Sequence, residues 1–461
     1  MRRALLIAFI GLAGCATYHP QPIAPAQLAR QFEQRSLASR ELRVYVARET
    51  GHDVAWPPML WNREMLTLAA FYYSPALDVA RAQWSTARAG IDVAATIPNP
   101  VLQLPFQYST PNPGPGSPFT LGAALDIPIE TAHKRGYRVG RATHLSEAAR
   151  LSLINEVWKV RAEVRNAMLA LYTARKRIAF LSAKAEAERQ IAEMSRKRLA
   201  VGQFSRPDVD SAILADTQAQ SDLAAAHGAE QDARAQLAAA IGVPSTALDS
   251  VEIDLSAFGA VPPAPPAAEA QRAAIFHRAD LLASLADYAS AESALQLEVA
   301  KQYPDIHLGP GYTYDTGTHK IAFGLAGISL PIFDQNQGGI REAEAKRKEA
   351  AARTGALQDK ILGDLAHALA RYRSSLEALH LSDAHLASAR RQLDSQAAAF
   401  ESGNADRMTY TQAKADYQAS ETTHLDAEVA VQQAAGILED TMQEPFGHEA
   451  VSDTLSEETP R

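Results

Sequence analysis

A single cysteine in 461 residues excludes a disulfide framework and any cysteine-rich zinc or iron–sulfur site. Basic residues are the minority, 45 Lys+Arg against 53 Asp+Glu, and no basic tract stands out. This excludes a nucleic-acid binder that draws its affinity from neutralised phosphates. Beyond the N-terminus no apolar run approaches the roughly 18 to 20 residues that a spanning helix needs, so a membrane crossing by this chain would have to use strands. The metalloprotease, serine-hydrolase, phosphate-loop and dinucleotide-binding signatures are missing, and Gly309-Pro310-Gly311 lacks the third glycine of the last of these. The 13 histidines are scattered; His380 and His385, five apart, do not share a helix face. No metal site, cofactor or catalysis is therefore expected. What the chain does have is apolar material, 47% against 21% charged, enough to bury a core.

Met1-Arg2-Arg3, the apolar stretch from Ala4 to Ala13 and then Gly14 have the layout of a signal peptide, so residues 1–14 read as a leader. Leu12-Ala13-Gly14-Cys15 resembles the lipobox of bacterial lipoproteins. The resemblance implies that Cys15 becomes the diacylated first residue of the mature chain. Ala16, in place of the Asp that retains such proteins at the inner membrane, implies sorting to the outer membrane. With Pro20, Pro22 and Pro25 leading it, 15–60 is expected to be a lipidated, extended N-terminal segment rather than a helix.

The rest of the chain repeats itself. Ile127-Pro128-Ile129 recurs as Leu330-Pro331-Ile332, Gly136-Tyr137-Arg138 as Gly339-Ile340-Arg341, and Gly202 as Gly403, all about 200 residues on. Steps of seven from Val164 through Leu171, Ile178, Ala185, Ala192 and Leu199 are apolar throughout. So are their counterparts Leu365, Tyr372, Leu379, Leu386, Leu393 and Phe400, as a coiled-coil seam requires. A second seam uses small residues, Ala212, Ala219, Ala226, Ala233 and Ala240, matched by Ala413, Ser420, Ala427, Ala434 and Thr441. Repeat 1 is expected over 61–245, with a long helix at 137–200 and a return helix at 207–241. Repeat 2 is expected over 269–443, with helices at 340–402 and 407–442. The proline-rich stretch 246–268 separates them, and 444–461 reads as a mobile acidic tail.

Each repeat also carries two stretches of period-two alternation, at 100–110 and 119–128 and again at 304–314 and 320–331. Leu102, Leu104, Phe106, Tyr108, Leu121, Leu125, Tyr312, Ile321 and Phe323 fall on apolar faces, with small or polar residues between them, a pattern that suits membrane barrel strands. Four strands cannot close a barrel, so copies must assemble. Two would give about eight strands around a filled interior and three about twelve around a pore.

Taken together, the repeat, the hairpins and the two turns Leu199–Val209 and Phe400–Tyr410 resemble the TolC family of outer-membrane efflux ducts, from about Met65 to Glu444. The fold class this implies is mainly α with a membrane β-barrel. Long antiparallel coiled-coil helices form a periplasmic α-barrel, and four strands per chain join a trimeric outer-membrane β-barrel of about twelve. The implied partners are two further copies in a homotrimer, a periplasmic adaptor protein, an inner-membrane RND pump and outer-membrane lipid, with no nucleic acid. In the family the turns are the tips that meet the adaptor, here Gly202, Gln203, Phe204 and Ser205 with Gly403, Asn404, Ala405 and Asp406. Asp208, Asp210 and Arg407, in the first turns of the returning helices, are the candidate gate charges. Within the family, Pro331-Ile332-Phe333-Asp334-Gln335-Asn336-Gln337-Gly338-Gly339-Ile340 resembles the CzcC-like heavy-metal-efflux branch, although Ala132-His133 stand where that branch has glycines before Lys134-Arg135. The implied function is passive conduction of substrates, heavy-metal cations among them, from pump and adaptor to the exterior. The alternatives are a duct for drugs, solvents or type I secreted proteins, or a lipid-anchored helical scaffold without a pore.

Overall fold

The computed structural model describes residues 16–51, 55–110, 117–263, 265–315 and 317–445. Cys15, most of the turn between the first two strand stretches and most of the acidic tail lie outside the described residues. Among the described residues four helices come first: α1 (Pro25–Glu33), α2 (Arg40–Thr50), α3 (Arg63–Tyr73) and α4 (Pro75–Ala95). The segment 15–60 is therefore not the extended one expected but holds two helices, Pro25 starting the first at a position where its missing N–H costs nothing. Then follow β1 (Val101–Gln103), β2 (Phe106–Tyr108), β3 (Phe119–Ile129), the long helix α5 (Lys134–Ala200) and its return α6 (Arg206–Ile241). Repeat 2 consists of α7 (Ala267–Phe276), α8 (Ala279–Ala300), β4 (Ile306–Asp315), β5 (Thr318–Ile328), α9 (Gln337–Glu401) and α10 (Arg407–Met442). No helix among the described residues is long and apolar enough to cross a membrane.

The two long helices have 67 and 65 residues, roughly 100 Å each at 1.5 Å per residue. They lie in a strip four elements wide. α4 and α6 pack in tandem along one side of α5, α8 and α10 along its other side, and α9 lies beyond α8 and α10. The sevenfold seam is the reason for the strip. Val164, Leu171, Ala185 and Ala192 are buried in α5, and Leu365, Tyr372 and Leu379 in α9, while Ala219, Ala226, Ala233, Ala413 and Ala434 allow the return helices close approach. One large core gathers α2, α3, the middle of α5, the end of α6 and the connector around Leu248, Ile253 and Phe258; a second joins α7 to α9 and α10. Both lie near mid-length of the long helices. The chain between the repeats threads across this belt, where Trp61 pairs with Ile253 and the Tyr372 hydroxyl donates to the Pro262 carbonyl.

All strands join one antiparallel sheet in the order β1, β3, β4, β5, with β2 continuing β1 along β3. The stretch 100–110 is therefore not one strand, as the alternation suggested, but two. Pro105 has no N–H to give the ladder, and its ring lies over Gly122, whose own N–H donates to the Pro105 carbonyl at 2.9 Å. The register survives the break, with Gln103 opposite Ala124 and Phe106 opposite Leu121.

Candidate tip and lumen surfaces

The ladders sort the sheet residues onto two faces. One face has rows such as Phe106, Leu121 and Tyr314, or Ala123, Tyr312 and Ile321, or Ile127, Leu308 and Leu325. This face is apolar and bare: Ile321 is 85% exposed and Phe323 79%. Its aromatic rings gather toward the turn end, where Tyr108 meets Phe119 and Tyr314 meets His319. The opposite face carries Gln103, Gln107, Gly309, Gly311, Ala322 and Gly324, with two clusters of ionisable groups. Near the turns, Asp315 accepts from Thr120 and Lys320; at the helix end, His307 bonds Asp126. An apolar outside, an aromatic band and a small, polar inside are what a strand needs to face lipid on one side and water on the other.

Strand and helix are joined by matched devices in the two repeats. His133 and Asn336 cap α5 and α9 with φ of 61° and 62°, left-handed values that favour glycine, and Ala132 is left-handed as well at 52°. The glycines expected at 132–133 are thus replaced by residues that must bear the same backbone conformation. A Cβ on Gly136 would stand 2.0 Å from His133 Nε2, and one on Gly339 2.4 Å from Asn336 Oδ1, so both glycines make room for the side chain of the residue at the N-cap position. Asp334 accepts the Asn336 N–H at 2.8 Å and Asn336 Nδ2 donates to Glu298, so the Phe333–Ile340 run is a turn in which Asn336, and not Asp334, takes the N-cap position of α9, its side chain bonded to Glu298 rather than to the helix. In repeat 1 the same corner is tied by Arg138, bidentate on Glu130 and bonded to the Ala94 and Thr96 carbonyls, and by Lys134 to Asp305 at 2.7 Å.

At the far end, the two helix–helix turns come together. Gly202 and Gly403 have φ of 72° and 78°, which lets each long helix end abruptly. The Ser205 N–H and hydroxyl both donate to Asp208 Oδ2, at 2.9 and 2.5 Å, and hold that carboxyl below its ordinary pKa. Asp406 caps α10 by accepting the Thr409 N–H at 2.8 Å. It also accepts from Arg198 of α5 at 2.5 Å, and this guanidinium first and the cap second lower its pKa to about 2. Arg198 in turn lies 5.2 Å from the Phe204 ring centroid, so one cation touches both turns. Gln203 and Asn404 are exposed at the turns and Ala405 is half-buried. Of the three gate charges, Asp208 lines a cleft of about 520 Å³ with Glu188, Gln412 and Asp416, Asp210 pairs with Arg206 at 3.5 Å, and Arg407 is exposed.

Arg198 has no signature in the sequence that would single it out. A second cluster does: Arg161 and Arg165 interrupt the apolar face around Val164, and Glu439 and Asp440 sit within the buried end of α10. In the structure they meet, with Arg161 to Glu439 at 2.5 Å and Arg165 to Asp440 at 2.5 Å; Arg161, Arg165 and Glu439 are nearly out of solvent and Asp440 is half-buried. Among the described residues no group of three or more His, Cys, Asp and Glu is arranged to hold a metal ion.

Comparison with known proteins decides the class. The outer membrane efflux protein family model matches residues 70–243 and 271–441, one block per repeat. The chain belongs to the outer membrane efflux protein family. It is 28% identical over 292 residues to the cobalt-zinc-cadmium resistance protein CzcC of Cupriavidus metallidurans, covering 62% of this chain and 68% of that one. The fold matches the outer membrane protein VceC of Vibrio cholerae at a TM-score of 0.68 and 19% identity, over 84% of this chain and 97% of that one. The outer-membrane channel OprN matches at 0.68 and 18%, over 94% and 99%, and CusC at 0.66 and 16%, over 93% and 100%. This member is an outer-membrane efflux channel, the exit duct of a tripartite pump.

Proposed function

We propose that three copies of this efflux protein close into one duct that passes divalent heavy-metal cations delivered by a periplasmic adaptor and an inner-membrane RND pump. The observation that carries the closure is that sheet and helical strip are both four elements wide and open along the same two sides. On the α4–β1 side Ile97 and Val101 are bare, and on the β5–α9 side Leu330, Ile332 and Phe333, the last 99% exposed. An open strand edge in lipid leaves unpaired backbone groups, so the β5 edge of one copy pairs with the β1–β2 edge of the next. Three such steps give about twelve strands and a water-filled interior.

The cation reading rests on the likeness to CzcC and on the Phe333–Ile340 run. The tips, Gly202–Ser205 and Gly403–Asp406, are the adaptor-docking surface, and Asp208, Asp210 and Arg407 the gate charges. Cys15 carries the lipid that adds an anchor to the barrel. The test is a deletion strain complemented with the gene. Restored tolerance to cobalt, zinc and cadmium, with no change toward lipophilic drugs, supports the cargo; restoration toward drugs alone overturns it. A chemical crosslinking ladder that stops at two copies overturns the trimer. Adaptor crosslinking that survives Gly202→Val together with Gly403→Val removes the docking assignment. An unmodified Cys15 in the mass spectrum removes the anchor.

A further inference from the structure

The inner face of the sheet holds an imidazole that the channel fold itself has no need of. His307 stands where β4 leaves the helical part, in line with Pro128 on one side and Gly327 on the other. Its Nδ1 lies 2.9 Å from Asp126 Oδ1, and the two side chains retain 39% and 22% of their exposure. An ionised carboxylate can only accept, so Nδ1 carries the proton and, in the neutral ring, Nε2 presents a bare lone pair. No partner reaches Nε2 among the described residues. A Cβ added at Gly324 or Gly327 would meet nothing within 4 Å, so no packing demand of this chain fixes glycine there and the space beside the ring stays clear. The charged groups around the ring are Asp126, Asp305 and Lys134, the last two paired with each other at 2.7 Å.

We propose that His307, oriented by Asp126, is a transit contact for borderline divalent cations such as Zn²⁺ and Co²⁺ on the lumen wall. The inference rests on the duct and cation reading above and names a residue within it. A carboxylate on one imidazole nitrogen with the other nitrogen bare is the arrangement that orients metal-ligating histidines and raises their basicity. Imidazole favours zinc and cobalt over magnesium, which prefers oxygen and holds its water. One protein ligand with water completing the shell binds weakly, as conduction demands, since an ion held tightly would stop the flow. Threefold repetition places three such contacts at one level of the wall.

The test uses the full-length protein in planar bilayers and in detergent. In bilayers, zinc chloride lowers single-channel conductance about twofold or more relative to magnesium chloride at equal ionic strength. His307→Gln conducts normally in potassium chloride and loses the zinc effect, Asp126→Asn weakens it, and His307→Cys restores it through a thiolate. In detergent, diethyl pyrocarbonate modifies His307, read by mass spectrometry, and Zn²⁺ but not Mg²⁺ protects it. Conducting channels with equal responses to zinc and magnesium, or a zinc effect undiminished in His307→Gln, overturn the contact and leave the duct standing. Preparations that never conduct overturn both, and a complemented strain that gains no metal tolerance overturns the cation reading and with it the transit role of His307, leaving the duct standing.

Discussion

Arg198 of α5 and Asp406, the residue that caps α10, stand 208 positions apart in the chain and meet at 2.5 Å at the tip. The pair joins the end of the long helix of repeat 1 to the turn of repeat 2, so neither turn can move independently while it holds. Asp406 has its pKa lowered from 3.8 to about 2, so its contribution is complete above about pH 4 and is lost as pH falls through about 2. Both partners are partly exposed, which keeps the ion pair near 0.2 to 1 kcal/mol. Asp406→Asn keeps a good cap and removes only the pair. Amide exchange across residues 402–410, corrected for intrinsic rates, should accelerate between pH 4 and 2 in the wild type and show no such step in the variant. An identical step in both places the pH response elsewhere.

The buried cluster at the other end of the interface between repeats is a stronger tie. Glu439 retains 3% of its side-chain exposure and faces Arg161 and Arg165, so Glu439→Ala takes one carboxylate away from two buried cations, Arg165 keeping Asp440, and the uncompensated charge should cost about 3 to 5 kcal/mol. Gly436→Ala tests the same place sterically. Its Cβ would stand 2.7 Å from Arg165 Nε, and moving that guanidinium breaks the bidentate bond to Asp440, for about 1 to 3 kcal/mol. Thermal unfolding of the purified protein reads both, with Glu439→Ala the lower; equal melting points for wild type and Glu439→Ala would show that the cluster contributes no net stability.

How much of this was legible in the sequence depends on the range of the interaction. The long helices, their seams and the strand faces follow from periods of seven and two, which are local, and Val164, Leu171 and Tyr372 are indeed buried where the period puts them. The break at Pro105 was legible in principle, since proline cannot serve a ladder, but alternation across Leu104 and Phe106 outweighed it. Arg161 and Arg165 announce themselves as charges on an apolar stripe, yet only the packing of α10 on α5 supplies Glu439 and Asp440. The pairs Arg198–Asp406 and His307–Asp126 join residues whose spacing encodes nothing. They need the tip geometry and the β3–β4 register before they exist.

At the strand–helix corner, Ala132 and His133 hold left-handed backbones at 52° and 61° without being glycine. Relieving the first should stabilise the protein, Ala132→Gly by about 1 kcal/mol, whereas Ala132→Val adds a branched side chain at a positive φ and should destabilise by more. Gly136→Ala, with its Cβ 2.0 Å from His133 Nε2, should expel the imidazole and break its edge contact with Tyr137 in the first turn of α5. Melting temperatures in the order Ala132→Gly, wild type, Gly136→Ala are expected; Ala132→Gly below the wild type would mean that the left-handed alanine is not strained.

Asp208 does two things at once at the first tip, because the carboxyl that accepts from the Ser205 N–H and hydroxyl also lines the cleft between the helices. Shape and charge can be separated. Asp208→Asn retains an oxygen for the Ser205 N–H and removes the charge, whereas Ser205→Ala retains the charge and removes the hydroxyl. In the proposed trimer the three Asp208 carboxylates would form a ring at the entrance, which would favour cations electrostatically. Asp208→Asn should therefore lower the cation over anion permeability ratio, read as a shift in reversal potential under a potassium chloride gradient, and Ser205→Ala should leave it in place. Arg407→Ala, which removes a positive charge from the same entrance, should raise the ratio. Asp210→Ala should change little, since its exposed pairing with Arg206 is screened by solvent. The reverse pattern, with Ser205→Ala shifting the ratio and Asp208→Asn silent, would tie permeability to the shape of the turn and take Asp208 out of the gate.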